Sequence, residues 1–424
     1  MKKLLALLLA AVLAVGCIAF TGCSETVKEY TGIKKVENYA DMKIGFITLH
    51  DESSTYDKNF IDSAKEVCEK LGITNYEIKT NIPEGKECYT AAKKFAEQGY
   101  NLVFADSFGH EKYLLQAAKA YPDTQFCHAT GTKAHTEKRG NLHNAFASIY
   151  EGRYLAGVAA GLKLKAMMEA DSTIVPKVGY VGAFPYAEVK SGYTSWFLGL
   201  RSIVPTATME VKFTSSWYDY DKEKATAEAL IQDKCVLISQ HADSMGAPEA
   251  CMNAGVPNVS YNVDTRTMTK DEKINDSYII ASKVNWAPYF EYMLSCLQKG
   301  EEIAYDWTGT IEGGSVELLA LNEKAAAPGT QAVLDEVTAQ LKAGTLKVFD
   351  TSKFTVTKTD SKNTNATVDT AGKLLGYKAD VDDMGDYVAD TEVLKKVGEV
   401  SYFAESEFRS APYFDIDIDG IEIK

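Results

Sequence analysis

Positive charge is what this sequence is short of: 45 Lys and Arg face 59 Asp and Glu, a formal net charge of −14. A surface of that sign is not built to neutralise phosphates, so nucleic acid is excluded as an expected partner. Metal-binding patterns are missing too. The eight cysteines form no CxxC pair and none stands at metal-ligand spacing from a histidine, so no metal or other cofactor is expected. There is no GxSxG elbow, no HExxH and no Walker A sequence, and the six histidines are scattered. Such motifs carry much of hydrolase and nucleotide chemistry, and their absence points away from an enzyme, although triads need not be local in sequence. Past Phe20 no apolar run reaches the ~18 residues that a membrane span needs.

What is present begins at the N-terminus. Lys2 and Lys3 precede the apolar run LLALLLAAVLAVGCIAF, and polar sequence starts abruptly at Thr21. That order is a secretory signal. It ends FTGCS, which resembles a bacterial lipobox with Cys23 as the lipidated residue; Cys17 is the weaker candidate because apolar residues still follow it. Residues 1–22 therefore read as a lipoprotein signal peptide and 23–40 as a tether. The mature chain is expected outside the cytoplasmic membrane, held there by its lipid anchor alone. Of the six cysteines that remain, Cys127 and Cys235 lie in apolar runs and read as buried thiols, while a Cys68–Cys88 bridge stays open.

At 424 residues and 46% hydrophobic content the chain exceeds one ordinary domain. From Lys43 short β-rich runs alternate with helical patterns: KIGFITL, then DKNFIDSAKEVCEKLG ending at Gly72, then NYEIKT, EGKECYTAAKKFAEQG and NLVFAD. Such alternation indicates βαβ units and a parallel sheet. At Lys177, KVGYVGA echoes KIGFITL and the pattern restarts. A weak repeat of this kind suggests an α/β protein of two doubly wound halves, with a single eight-unit barrel as the competing topology. After Gly344 the style changes. TVTKTDSKNTNATVDT has no helical period and reads as a loop or hairpin insert. The ending DIDIDGIEIK imitates a calcium loop, but the acid needed at its twelfth position would lie beyond Lys424, and its isoleucines alternate as in an edge strand.

Ligands of open parallel sheets bind outside the carboxyl ends of the strands. The segments there carry Asp51, Tyr56, Asp57 and Phe60; Asp106, Ser107, Phe108 and His110; Phe184 and Glu188; Trp217 and Tyr218; His241, Asp243 and Ser244; and Asp264. Aromatic faces can sandwich a flat ring, carboxylates accept its N–H donors, and hydroxyls complete the edge. The candidate set is Asp51, Tyr56, Asp57, Phe60, Ser107, Phe108, Phe184, Trp217, Tyr218, Asp243, Ser244, Asp264 and Trp286. Plainer uses exist for some of them. Asp57 and Asp219 suit helix N-caps, and Phe60 suits a core.

DKNFIDSA, DSFGH, FCHATGT, SIYEGRYLAGVAAG, KVGYVGAFP, SSWYDYDKEKATAEALI, ISQHADS and YNVD together resemble the basic membrane protein (PnrA-like) family of ABC-importer substrate-binding lipoproteins. EGRYLAG with SWYD and QHADS is similar to the purine-binding branch. The resemblance implies a type I periplasmic-binding fold, two Rossmann-like lobes with parallel sheets and a hinge of three crossovers. One lobe would hold 41–148 plus 285–307, the other 149–284 plus 308–350, with 351–424 an insert and tail packed on the second. A purine would lie between the lobes, and a permease with its ATPase would be the partners of a monomer. Ile61 stands where the family commonly has asparagine, and Val284 where nucleoside-binding members carry lysine, Lys283 being one place early. Both tilt the expectation from nucleoside towards free base. A sugar receptor of the same fold, a sensor lipoprotein, and an exported nucleoside-acting enzyme using Asp51, Asp57 or Asp243 as base are the alternatives.

Overall fold

KIGFITL becomes strand β1 (Ile44–Ile47) and every residue of it is buried, as expected of a strand covered on both faces. The computed structural model describes residues 29–359, 365–381 and 386–424; the signal peptide and Cys23 lie outside them. β2 (Tyr76–Lys79), β3 (Leu102–Ala105), β4 (Gln125–His128) and β5 (Leu142–Ala147) follow, with helices Thr55–Leu71, Lys86–Glu97 and Glu111–Ala120 among them. β6 (Lys177–Gly182), β7 (Thr208–Phe213), β8 (Ile238–His241), β9 (Asn258–Tyr261) and β10 (Tyr278–Val284) make the second series, and β11 (Asp306–Gly309) and β12 (Val316–Leu318) come last.

The first sheet has the order β11-β5-β4-β3-β1-β2, parallel throughout. The second runs β12-β10-β9-β8-β6-β7 and ends on the strand Ile421–Ile423. KVGYVGA therefore takes in the second sheet the place KIGFITL has in the first. Two open sheets with free edges exclude the closed barrel. Side-chain alternation covers both faces of each sheet. In β3, Leu102 and Phe104 join the large core shared by both lobes, while Val103 and Ala105 face the helices behind.

The chain passes between the sheets three times, after β5, after β10 and between β11 and β12. These crossovers brace one another. Ser148 N–H donates to the Gly309 carbonyl at 2.8 Å, and Asn285 N–H to Ser315 at 2.9 Å. EGRYLAG sits in helix Ile149–Ala170, which crosses helix Ala187–Ile203 so closely that a Cβ on Gly157 would lie 1.9 Å from the Trp196 carbonyl oxygen. Only glycine fits there.

All six cysteines among the described residues are buried free thiols. Cys68 and Cys88 belong to different core clusters, so the bridge left open by the sequence is not formed. The ending is an edge strand as its alternation predicts: Ile421–Ile423 pairs parallel with β7, and Gly420, at φ +82°, turns the chain into it from Ile416–Ile418. The stretch read as a loop or hairpin insert has its end in an antiparallel hairpin with the residues that follow and its start paired elsewhere. Val356–Thr359 pairs with Ile416–Ile418, and Asn365–Val368 with Leu374–Ala379. Nor does the tail rest on the second lobe alone, because Ser410 is bonded to Asp306 and Asn144 of the first sheet.

Candidate ligand-binding site

The segments at the carboxyl ends of β1, β3, β4, β6, β7 and β8 converge on one cavity between the lobes. As the lobes stand, the free space inside it is small, about 20 Å³. The switch point of a sheet with this strand order, between β1 and β3, lies at its floor.

The first lobe supplies Leu49, His50, Tyr56, Asp57, Ser107, Phe108 and Thr130. Asp57 is not the N-cap of its helix. Ser54 holds that position, accepting from Asp57 N–H at 3.2 Å, while the Asp57 carboxylate receives Ser54 Oγ–H at 2.6 Å and His50 N–H at 2.7 Å. Burial pushes this carboxyl up, but the bonds from His50 and Ser54 outweigh it and hold it below the usual range, so Asp57 is ionised. Tyr56 donates to the Asp106 carbonyl at 2.8 Å and meets Phe60 edge-on. DSFGH is clamped from behind. Glu84 accepts Ser107 Oγ–H at 2.6 Å and Gly109 N–H at 2.8 Å, and His128 Nε2 stands 2.7 Å from the Ser107 carbonyl. Burial lowers His128 to about 4. It is neutral, and Nε2–H donates to that carbonyl.

The second lobe supplies Glu188, Trp217, His241 and Asp243. In TSSWYDYD, Ser215 adopts φ 57° and Thr214 Oγ–H donates to the Ser216 carbonyl, a tight turn that swings Trp217 into the cavity wall. Phe184 meets the Trp217 ring edge-on at 5.1 Å. Asp219 caps helix Tyr220–Gln232 through Lys222 N–H, as its place in the sequence predicts. His241 Nε2 lies 3.5 Å from Glu188, and burial, with Arg153 nearby, lowers it to about 4, leaving the ring neutral. Asp243 is raised well above the usual carboxylate range, first by burial and then by the charges of Glu223, Asp57 and Glu188. Its surroundings therefore favour the protonated form, which can donate. The lobes touch across the cavity: Thr55 N–H donates to the Asp243 carbonyl at 2.8 Å, Thr130 Oγ–H to Glu188 at 3.3 Å, and His50 and Tyr218 lie 5.2 Å apart.

The sequence-derived set divides accordingly. Tyr56, Asp57, Ser107, Phe108, Trp217 and Asp243 line the cavity. Phe184 and Tyr218 support its rim. Phe60 and Trp286 stack on each other at 4.3 Å inside the core. Ser244 holds the start of helix Gly246–Ala254, its Oγ accepting Gly246 N–H. Asp264 is ion-paired with Arg266, and Asp51, on the surface, accepts from Ser53 and Asn81. Leu49, His50, Thr130, Glu188 and His241 were outside the candidate set. Glu188 and His241 stand among the strand-end residues named from the sequence, and Leu49, His50 and Thr130 follow strand ends in the same way, so strand-end position finds all five.

Residues 44–348 match the family described as Bmp, ABC transporter substrate-binding protein PnrA-like. The chain belongs to this family. A purine-binding protein of Brucella abortus (strain 2308) is 30% identical over 317 residues, covering 73% of this chain and 83% of that one. A Haloferax volcanii protein, named for glucose binding by an ABC transporter, is 33% identical over 222 residues, 52% of each chain. A solute-binding protein of an ABC transporter system from Conexibacter woesei shares the fold at 20% identity, with TM-score 0.59 over 72% of this chain and 98% of that one.

The PnrA-like protein thus has the type I periplasmic-binding fold, and its family implies a small-molecule ligand and a permease–ATPase partner. Among the described residues no helix is long and apolar enough to cross a membrane. The carboxylates weighed as catalytic bases are poorly placed for that work. Asp51 lies outside the cavity, Asp243 is pushed up by burial and neighbouring carboxylates towards its protonated form, and Asp57 is tied to His50 and Ser54. A family of solute-binding proteins fits this arrangement.

Proposed function

We propose that this substrate-binding protein captures a purine between its lobes, as the free base rather than the nucleoside, and delivers it to an ABC permease. One observation carries the reading. An aromatic wall at Trp217 stands beside two carboxyls, Asp57 from one lobe, held below the usual range and so an acceptor, and Asp243 from the other, pushed up towards its donating form. A flat heterocycle with both N–H donors and ring-nitrogen acceptors uses all three at once. A ligand that touches both lobes favours the closed state over the open one, which makes closure the response to binding. The name of the Brucella relative agrees with a purine. No lysine lines the cavity; Val284 is buried at the end of β10, and Lys283 pairs in register with Glu317 of β12. A ribose-contacting lysine is therefore not on offer, which favours the base. Cys23 is proposed as the lipidated residue that anchors the chain to the outer face of the cytoplasmic membrane.

Native mass spectrometry of protein purified without denaturation tests this directly. The expected result is an added mass equal to a purine base. An added hexose mass would replace the reading with the sugar receptor, towards which the name of the Haloferax relative points.

A further inference from the structure

The family match stops at residue 348, and the chain beyond it adds a second set of bridges to the direct interlobe contacts of Thr55 and Thr130. Between Ala404 and Asp417 it crosses the cleft repeatedly. Glu405, 2% exposed, accepts Ser191 Oγ–H at 2.5 Å from the second lobe. The Ser406 carbonyl then accepts Thr308 Oγ–H of β11 at 3.4 Å. Ser410 is fully buried against the first sheet. Its N–H and Oγ–H each donate to Asp306 at 2.6 Å, and its Oγ accepts Asn144 Nδ2–H at 2.9 Å. The chain then returns to the second lobe, where Asp415 pairs with Lys190 at 2.6 Å and Asp417 accepts Tyr193 O–H at 3.3 Å. Arg409 stiffens the crossing by donating to the carbonyls of Asp380, Ala411 and Pro412.

The two anchor points belong to different bodies. Asp306 and Asn144 are register partners in β11 and β5. Lys190, Ser191 and Tyr193 lie on helix Ala187–Ile203, which also supplies Glu188 to the cavity. Separating the lobes requires one anchor to break, and each is a buried charge-assisted contact whose loss leaves a carboxylate or ammonium short of a partner.

We infer that residues 404–417 are an interlobe strap whose Ser410–Asp306 and Asp415–Lys190 anchors hold the lobes closed and slow ligand release. The inference rests on the ligand lying between the lobes but not on its being a purine. Ser410 and Lys190 are positioning residues, since neither lines the ligand cavity.

Asp306→Ala, which removes the acceptor of both Ser410 bonds, and Lys190→Ala weaken the strap at opposite ends, so that failure of one variant to fold leaves the other to decide. Small-angle scattering of the ligand-free protein is expected to show a larger radius of gyration in each folded variant than in the parent. Adenine, followed by stopped-flow fluorescence, is expected to leave each about tenfold faster, the loss of ~1.4 kcal/mol. Scattering identical to the parent's in the folded variants overturns the strap, whether or not adenine binds. A lowered melting temperature with unchanged scattering reduces the contacts to packing and overturns it equally. Wider scattering with no adenine binding to the parent supports the strap and counts against the purine reading.

Discussion

Replacing Trp217 by alanine is expected to weaken purine binding by about 10- to 100-fold while leaving the fold intact. Stacking of a base on an aromatic ring is worth ~1–3 kcal/mol by alanine substitution, and Trp217 is the large aromatic of the second lobe that lines the cavity. Its structural duties are mainly carried by the backbone: the Trp217 carbonyl accepts Asp243 N–H at 3.0 Å, and alanine keeps that bond. The side chain is partly exposed, so its removal opens no sealed core cavity. Calorimetry with adenine, hypoxanthine and guanine, alongside the melting temperature, separates the two effects. Unchanged affinity would return Trp217 to a packing role against Phe184.

The second large effect comes from treating the two aspartates of the cavity unequally. Asp57→Ala removes an ionised acceptor from a dry wall and is expected to cost about 100-fold in purine affinity, near the upper range for a hydrogen bond to a charged group. Asp243→Asn is expected to stay within about threefold, because an amide and a protonated acid both donate. The pH dependence follows with opposite signs. Asp57 has a lowered pKa, so its contribution is present above the ordinary carboxylate value and is lost as pH falls through the folded value. Asp243 has a raised pKa, so its contribution is complete below the ordinary value and is lost as pH rises through the folded one. Binding should therefore weaken at both extremes, and Asp243→Asn should abolish only the alkaline decline. Equal losses in Asp57→Ala and Asp243→Asn would contradict these protonation states.

The parts of this molecule legible in its sequence are those set by local pattern. Short β-rich apolar runs and amphipathic helices locate both series of strands, and the echo of KIGFITL in KVGYVGA reveals that the fold is double. Asp219 is readable as a cap because a capping side chain needs only its own helix. Asp57 is misread for the mirror reason: Ser54, three residues earlier, competes for the same N–H groups and takes the cap, freeing the carboxylate for His50. Phe60 and Trp286 sit at site-like positions, yet each is the other's stacking partner, a pairing across more than two hundred residues that no local pattern encodes. Glu188 and His241 are at the right strand ends, but their significance depends on meeting each other, at 3.5 Å, and Thr130 across the cleft. The strap is least legible. Its residues have no period, and their meaning lies in Asp306 and Lys190, which are remote in sequence.

Calorimetric titration of the purified, ligand-stripped protein with adenine, hypoxanthine, guanine, their nucleosides and glucose tests the central claim most directly. The account predicts one-to-one binding of at least one free base, tighter than its nucleoside, with a negative heat-capacity change from burial in the closed cleft. Binding of glucose with no heat from any purine would contradict it.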